Sequence, residues 1–308
     1  MRTLALSTLL ASGLLAGAAA AEIGPLVSPV ELQELIGGTE APLVLDIRGA
    51  AYDQGHIAGA VPAPYERFRG PAENPGAVPP EDQLEATLRG LGVTPERPVV
   101  VVHQGKDDSD FGAAARVYWT LKSSGVSELA ILNGGMAAWS AAGLPLETRP
   151  VAPVPSEIDI AFSDRWLATT EDVAAIVDGD RQARLVDARP APFFNGQQAH
   201  AAMSRPGTLP GAENVMHNVW FNDPIRVMDA PAARDLRARL GIGTDEEVVA
   251  FCNTGHWAAT EWFALFELAG VEDAKLYPDS MVGWSQTGQE MENTPGLVQN
   301  LLNQLRGN

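Results

Sequence analysis

The single cysteine of the chain, Cys252, stands between an apolar run and a helical pattern. The run Val248–Phe251 predicts a buried strand, and the helical pattern begins near Ala258. At such a junction the thiol would lie at the carboxyl end of a strand and at the amino terminus of a helix, where unpaired N–H groups favour an anion. Such surroundings lower the pKa of a thiol. The position therefore predicts a reactive thiolate, although a buried, unreactive cysteine is the more usual case.

The residues between Cys252 and the helix are the candidates for binding a substrate, and they are Asn253, Thr254, Gly255, His256 and Trp257. Gly255 permits a positive φ, so that consecutive N–H groups can turn toward one anion. His256 is expected to pair with a bound anion as an imidazolium ion, and the alternative is that it caps the helix. Trp257 either lines the pocket or packs inward.

The elements that must position this loop occur twice in the chain. The segments of the first half are LVLDIR, GHIAGAV, VVVVHQG and ILNGGMAAW, at residues 43–48, 55–61, 99–105 and 131–139. Those of the second half are RLVDAR, GTLPGAENV, VVAFCNTG and KLYPDSMVGW, at residues 184–189, 207–215, 248–255 and 275–284. Because the order and the spacing are nearly the same, one domain has been duplicated.

Each copy has the pattern of an α/β domain. Short apolar runs without alternation, such as residues 99–102, predict strands buried on both faces of a parallel sheet. Helical patterns lie between them, for example at residues 113–123 and 258–269. Residues 147–158 contain three prolines and no periodicity, which predicts an extended linker. We place the first domain at residues 22–149, the linker at 150–158 and the second domain at 159–308.

The first residues have the pattern of a secretory signal peptide. Arg2 precedes an apolar stretch at residues 4–18, and three alanines at 19–21 come before Glu22. The stretch is shorter than the roughly 20 residues that a membrane-spanning helix needs. Residues 1–21 therefore predict export, with the periplasm as the destination. No later stretch is long and apolar enough to predict a membrane span.

The formal net charge of −18 argues against nucleic acid or an anionic membrane as a partner. An anionic substrate must likewise be held by local groups. One cysteine cannot form an internal disulfide. His56, His103 and His217 do not have the spacing of metal ligands, so no metal site is predicted.

Together these motifs resemble tandem-domain rhodaneses, the thiosulfate and 3-mercaptopyruvate sulfurtransferases, over nearly the whole chain after residue 21. The resemblance rests on the strands ending in Asp-x-Arg, the GHIAGA and TLPGAENV segments, the cysteine loop and the GGMAAW segment. It implies two tandem rhodanese-like α/β domains, each a parallel sheet with helices on both faces. It also implies a catalytically silent first domain, because His103 or Gln104 stands at the place of Cys252.

The resemblance implies a sulfurtransferase that needs no cofactor. Cys252 would take a sulfur atom from thiosulfate or 3-mercaptopyruvate, keep it as a persulfide and pass it to a thiol or cyanide. The loop departs from thiosulfate-using members, because Asn253 and Thr254 replace an arginine and a lysine. We therefore expect weak thiosulfate binding that tightens as the pH falls and His256 gains a proton.

Two other functions stay open. One is a non-enzymatic persulfide carrier or partner-binding module that serves a protein sulfur acceptor. The absence of cations from the cysteine loop favours this hypothesis. The other is a cysteine phosphatase or arsenate reductase, but Ala258 stands where such loops have an arginine.

Two further features are candidate parts of the site. Asp187 and Arg189 end one strand, and Asp46 and Arg48 occupy the same places in the silent copy. This duplication favours a structural role for Asp46 and Asp187, and Arg189 is kept as a candidate substrate-binding residue. The second copy also has an insertion, residues 191–206, which forms either a surface loop or a wall of the pocket.

Overall fold

Two parallel β-sheets, one in each half of the chain, form the frame of the computed structural model, which describes residues 23–296. The sheet of the first domain has five strands in the order β1-β5-β4-β2-β3. Their bounds are Leu26–Val27 (β1), Leu43–Asp46 (β2), Val61–Pro62 (β3), Val99–Val102 (β4) and Leu129–Leu132 (β5). The central strands β2, β4 and β5 are buried throughout, as their unbroken apolar sequences predict.

The helices of the first domain cover both faces of this sheet. They are Pro29–Ile36 (α1), Glu81–Leu91 (α2), Asp108–Ser123 (α3) and Gly135–Ala141 (α4), with 3₁₀ turns at Gly49–Gln54 and Tyr65–Phe68. Helix α3 begins before the expected start at residue 113. The reason is that the Asp107 side chain accepts a hydrogen bond from the N–H of Asp110 at 3.0 Å and caps the helix earlier.

The second domain repeats the arrangement around a four-stranded sheet of order β11-β10-β6-β7. Its strands are Arg184–Asp187 (β6), Glu213–Asn214 (β7), Val248–Phe251 (β10) and Ala274–Leu276 (β11), and a hairpin is formed by Phe221–Asp223 (β8) and Arg226–Val227 (β9). Its helices are Thr170–Val177 (α5), Ala191–Phe194 (α6), Ala230–Arg239 (α7), Trp257–Phe263 (α8) and Ser280–Thr287 (α9), with a 3₁₀ turn at His217–Trp220 and a π-helix at Ala264–Leu268 that continues α8. The prediction of two tandem α/β domains with parallel sheets is confirmed.

Strand register shows which residues of the two copies correspond. In the first domain Asp46 pairs with Val102, and in the second Asp187 pairs with Phe251. The residues that follow β4 and β10 are therefore equivalent. His103 stands at the place of Cys252.

The two domains share one hydrophobic core, in which α3 packs against α8. Phe263 of α8 contacts Phe111 and Tyr118 of α3, with ring centroids 5.5 and 5.1 Å apart. Buried residues of both halves belong to the same cluster. The domains are thus packed together over an apolar interface.

The connection between the domains lies along α2. Residues 150–163 form no helix or strand. Arg89 Nε donates to the Ile158 carbonyl at 2.7 Å, and the N–H of Ser156 donates to the Arg89 carbonyl at 3.0 Å. The predicted signal peptide, residues 1–21, lies outside the described residues. Within residues 23–296, no helix has the length and apolar character needed to cross a membrane.

Candidate functional site

Cys252 follows β10 directly and is a free thiol with 1% of its surface exposed. Helix α8 begins at Trp257, so residues 252–256 form the connecting loop. The thiol therefore lies at the carboxyl end of a central strand, the edge at which ligands bind in parallel α/β sheets.

The loop backbone is held by the start of α9. The N–H groups of Cys252 and Gly255 both donate to Ser280 Oγ, at 3.0 and 3.1 Å. The Ser280 hydroxyl donates in turn to the Tyr277 carbonyl at 2.8 Å. The N–H of Met281 donates to the Cys252 carbonyl at 3.0 Å. One serine side chain thus satisfies two buried N–H groups of the loop.

Ser280 adopts a backbone conformation that costs free energy. Its φ is 50°, in the left-handed region that residues with a Cβ rarely occupy. The equivalent residue of the silent domain is Gly135, whose φ is 55°, since the N–H of Met136 donates to the His103 carbonyl as that of Met281 does to Cys252. The copy that holds Cys252 therefore has a strained serine where the first copy has a glycine, and the serine hydroxyl accepts hydrogen bonds from the cysteine loop.

The remaining loop N–H groups can receive an anion. Those of Asn253, Thr254 and His256 have no acceptor within the part of the chain that the structure describes. Gly255 has a φ of 65°, which lets the chain turn around a bound group. Three consecutive or nearly consecutive donors are enough to form an anion-binding concavity.

Arg189 holds the loop through Asn253. Its guanidinium is fully buried and makes a bidentate ion pair with Asp187, at 2.9 Å from Nε and 2.7 Å from Nη2. Its Nη1 donates to Asn253 Oδ1 at 3.2 Å. The silent copy repeats this arrangement with Arg48 and Asp46, and Gln104 accepts from Arg48. Arg189 thus contacts the cysteine loop through the side chain of Asn253.

His256 faces the first domain. Its Nε2 lies 2.7 Å from the Ser109 carbonyl and its Nδ1 lies 3.0 Å from the Tyr65 hydroxyl, which accepts from Arg69 Nη1 at 2.8 Å. In the neutral ring, a proton on Nε2 donates to the Ser109 carbonyl, and the Tyr65 hydroxyl donates to Nδ1. Burial, reinforced by the charge of Arg69, lowers the pKa of His256 to about 4. The expectation that His256 becomes an imidazolium ion in mild acid was therefore wrong.

Trp257 lies at the domain interface. Its Nε1 donates to Ser109 Oγ at 2.8 Å, and its ring stacks on His217 with centroids 5.1 Å apart. Phe193, from the 191–206 insertion, contacts the same ring edge-to-face at 6.0 Å. The insertion therefore reaches the first residue of α8, directly after the loop. Thr254 is buried, and its backbone lies against Gly76 of the first domain.

Five residues near the loop were missed by sequence reasoning: Tyr65, Arg69, Ser109, Arg116 and Ser280. The first four belong to the first domain. A signal existed for one of them, since Arg116 is a charged residue in the buried middle of α3, where its neighbours are apolar. No local motif identifies the others.

Other places in the structure do not compete with this site. Among residues 23–296, no group of histidine, cysteine and acidic residues could hold a metal ion. An open cavity of about 580 Å³ is lined by Gln182, Arg184, Glu213 and Glu247. It lies at the start of β6, and Cys252 does not line it.

Comparison with known proteins agrees with the internal duplication. A family model described as the Rhodanese-like domain matches residues 28–142 and 169–287. A Mycobacterium tuberculosis protein named putative thiosulfate sulfurtransferase SseB is 30% identical over 84% of this chain and 93% of its own. The sulfur carrier protein TtuD of Thermus thermophilus is 27% identical over 76% of this chain and 83% of its own. The crystal structure of SseA from Escherichia coli, a 3-mercaptopyruvate sulfotransferase by its description, superimposes with a TM-score of 0.72 and 26% identity, covering 83% of this chain and 98% of that one.

Proposed function

Because this chain belongs to the rhodanese family, with two rhodanese-like domains in tandem, we propose that it is a sulfurtransferase in which Cys252 carries sulfur as a persulfide. The observation that carries the proposal is the position of the thiol, directly after β10 and before a loop of free N–H groups. The equivalent residue of the first domain, His103, cannot accept sulfur. Catalysis therefore belongs to the second domain.

The reaction proceeds in two displacements. The Cys252 thiolate attacks the outer sulfur of the donor, and the bond from that sulfur to the rest of the donor breaks. Sulfite leaves thiosulfate with the electron pair. From 3-mercaptopyruvate the enolate of pyruvate leaves with the electron pair of the C–S bond and then takes up the proton of the donor thiol at carbon. An acceptor thiolate or cyanide then attacks the outer sulfur of the persulfide. The products are a new persulfide or thiocyanate and the regenerated Cys252 thiolate.

The loop stabilises the negative charge at each stage. The N–H groups of Asn253, Thr254 and His256 are the donors for the outer sulfur. Ser280 and Arg189 keep these donors in place, the first through the backbone and the second through the Asn253 side chain. No step requires a metal or an organic cofactor.

The mass of the intact protein tests the proposal. After incubation with thiosulfate or 3-mercaptopyruvate, we expect a gain of one sulfur atom that dithiothreitol removes. Cys252→Ser should gain nothing and should show no sulfur transfer, since the serine hydroxyl is not ionised near neutral pH. Transfer at the wild-type rate by this variant would contradict the mechanism.

A persulfide carrier is the second candidate. It is favoured by the likeness to the sulfur carrier protein TtuD and by the absence of lysine and arginine from residues 252–257. A carrier would take one sulfur per molecule but would not turn over with cyanide. Steady production of thiocyanate separates the two functions.

We also propose that the chain is exported to the periplasm and that the mature protein begins at Glu22. The support is the order of Arg2, the apolar stretch and the three alanines before Glu22. Fractionation of cells that express the full chain, with mass measurement of the periplasmic product, tests this. A full-length protein in the cytoplasmic fraction would contradict it.

A further inference from the structure

The silent domain places a buried cation beside the cysteine loop. Arg116 of α3 is fully buried. Its Nη2 donates to the Gly76 carbonyl at 2.7 Å. A Cβ placed on Gly255 would lie 2.6 Å from Arg116 Nη1, so the guanidinium contacts the loop directly. The contact crosses from the first domain to the residue three positions after Cys252.

The guanidinium has unused donors at this contact. Nε and Nη1 of Arg116 have no hydrogen-bond partner among the described residues. Leaving buried donors of a charged group unpaired is costly, and proteins rarely do so without a ligand or a water molecule in place. The free Nη1 is the atom that faces Gly255. The unused donor is therefore directed at the loop that holds the reactive sulfur.

The charge of Arg116 also lacks a carboxylate partner. Within residues 23–296, its hydrogen bonds go to the backbone carbonyls of Gly76 and Ala77. Burial lowers the pKa of Arg116 to about 10, and the nearby Arg69 adds to this, while Tyr65, Asp279 and Cys252 act in the opposite direction. The side chain remains protonated at neutral pH. An anion at Cys252 would supply the missing negative charge.

We propose that Arg116 is the cation that binds the anionic sulfur donor, and the resulting persulfide, at Cys252. The inference rests on the proposed function and adds a specific residue to it. The loop has Asn253 and Thr254 where thiosulfate-using rhodaneses have an arginine and a lysine, and a guanidinium from the other domain takes over that role. The active site is then composed of both domains, and its substrates are donors with an anionic group next to the transferable sulfur.

Two substitutions in the full-length chain test the inference. Arg116→Gln removes the positive charge. Arg116→Lys keeps the charge but lacks the planar guanidinium group and its several N–H donors. Arg97→Gln is the control, because Arg97 is an exposed arginine of the same domain that contacts the Ala41 and Pro42 carbonyls, before the start of β4. The first measurement is the rate of Cys252 alkylation by iodoacetamide, a neutral reagent, between pH 5 and 10. The second is the KM and kcat for thiosulfate and for 3-mercaptopyruvate.

For Arg116→Gln we expect iodoacetamide to alkylate Cys252 several-fold more slowly at neutral pH, because the thiolate loses a neighbouring positive charge. The KM of the donor that binds here should rise at least about tenfold, because a charge-assisted hydrogen bond is lost. Arg116→Lys should restore the alkylation rate and leave the KM only several-fold above that of the wild type, and Arg97→Gln should match the wild type. A higher KM for only one donor identifies that donor as the anion that Arg116 binds.

An unchanged alkylation rate together with an unchanged KM for both donors in folded Arg116→Gln would overturn the inference and leave Arg116 a structural residue. If Arg116→Gln does not fold, Arg116→Lys becomes the deciding variant. It should then show a KM several-fold above that of the wild type with a wild-type alkylation rate, and an unchanged KM would overturn the inference. If the wild type takes no sulfur from either donor, the proposed function fails, and the alkylation profile still tests Arg116.

Discussion

Replacing Ser280 by alanine tests whether one hydroxyl organises the cysteine loop. Ser280 Oγ accepts from the N–H groups of Cys252 and Gly255, and all three residues are buried or nearly so. Without it, two buried donors lose their acceptor, at about 1–3 kcal/mol each. We therefore expect the free energy of unfolding to fall by about 2–6 kcal/mol. The rate of persulfide formation should fall as well, because the loop donors are no longer held in position.

Ser280→Gly separates the hydroxyl from the backbone strain. Glycine lacks the same oxygen but adopts the φ of 50° without a steric penalty. It should therefore be more stable than the alanine variant by about 1 kcal/mol. Both variants should form persulfide slowly, since neither has the acceptor. Urea unfolding gives the stabilities, and intact mass against time gives the rates.

Ser123→Ala is the matched control. Ser123 is a buried serine of α3 whose hydroxyl has no hydrogen-bond partner among the described residues. Its removal should change the free energy of unfolding by less than about 1 kcal/mol, since no donor loses an acceptor. If Ser280→Ala unfolds at the same urea concentration as Ser123→Ala and takes up sulfur at the wild-type rate, the role assigned to the hydroxyl is refuted.

Two buried groups predict opposite effects of pH. Burial raises the pKa of Glu261 to about 8 from 4.5, so stability is lost as the pH rises between these values. Glu261→Gln keeps an acceptor for Trp220 and should be more stable than the wild type by about 2–4 kcal/mol at pH 8 and similar at pH 4, as measured by urea unfolding. The lowered pKa of His256, about 4 against 6.5, means that stability is lost as the pH falls through this interval. Between pH 6.5 and 4.5, the free energy of unfolding of His256→Gln should fall by about 1–3 kcal/mol less than that of the wild type. If the KM of the wild type for thiosulfate drops tenfold over the same interval, His256 is not neutral there.

The parts of this structure that sequence reasoning predicted depend on local pattern. Residues that are neighbours in the sequence determine three of these features: the apolar runs at β4 and β10, the duplicated segments, and the location of Cys252 after a strand. The charge of His256 could not be read in this way, because it depends on Tyr65 and Ser109, which are distant in sequence.

Arg116 and Ser280 were missed for two different physical reasons. Arg116 acts across the domain interface. The packing of α3 against α8 joins residues that are distant in sequence, so no local motif predicts it. Ser280 acts through a left-handed φ, and serine is a residue for which this conformation is not expected. Sequence reasoning therefore predicted the position of Cys252 after a strand and missed much of its surroundings.

The packing of α3 against α8 determines how the protein melts. Phe263 is buried against rings of the other domain, so opening either domain exposes apolar surface of both. Domains coupled in this way unfold as one cooperative unit, although each has its own sheet. A calorimetric scan should then show a single transition, in which a substitution that stabilises the first domain also raises the melting temperature of the domain that holds Cys252. The thermal stability of the second domain can thus be raised by substitutions in the first.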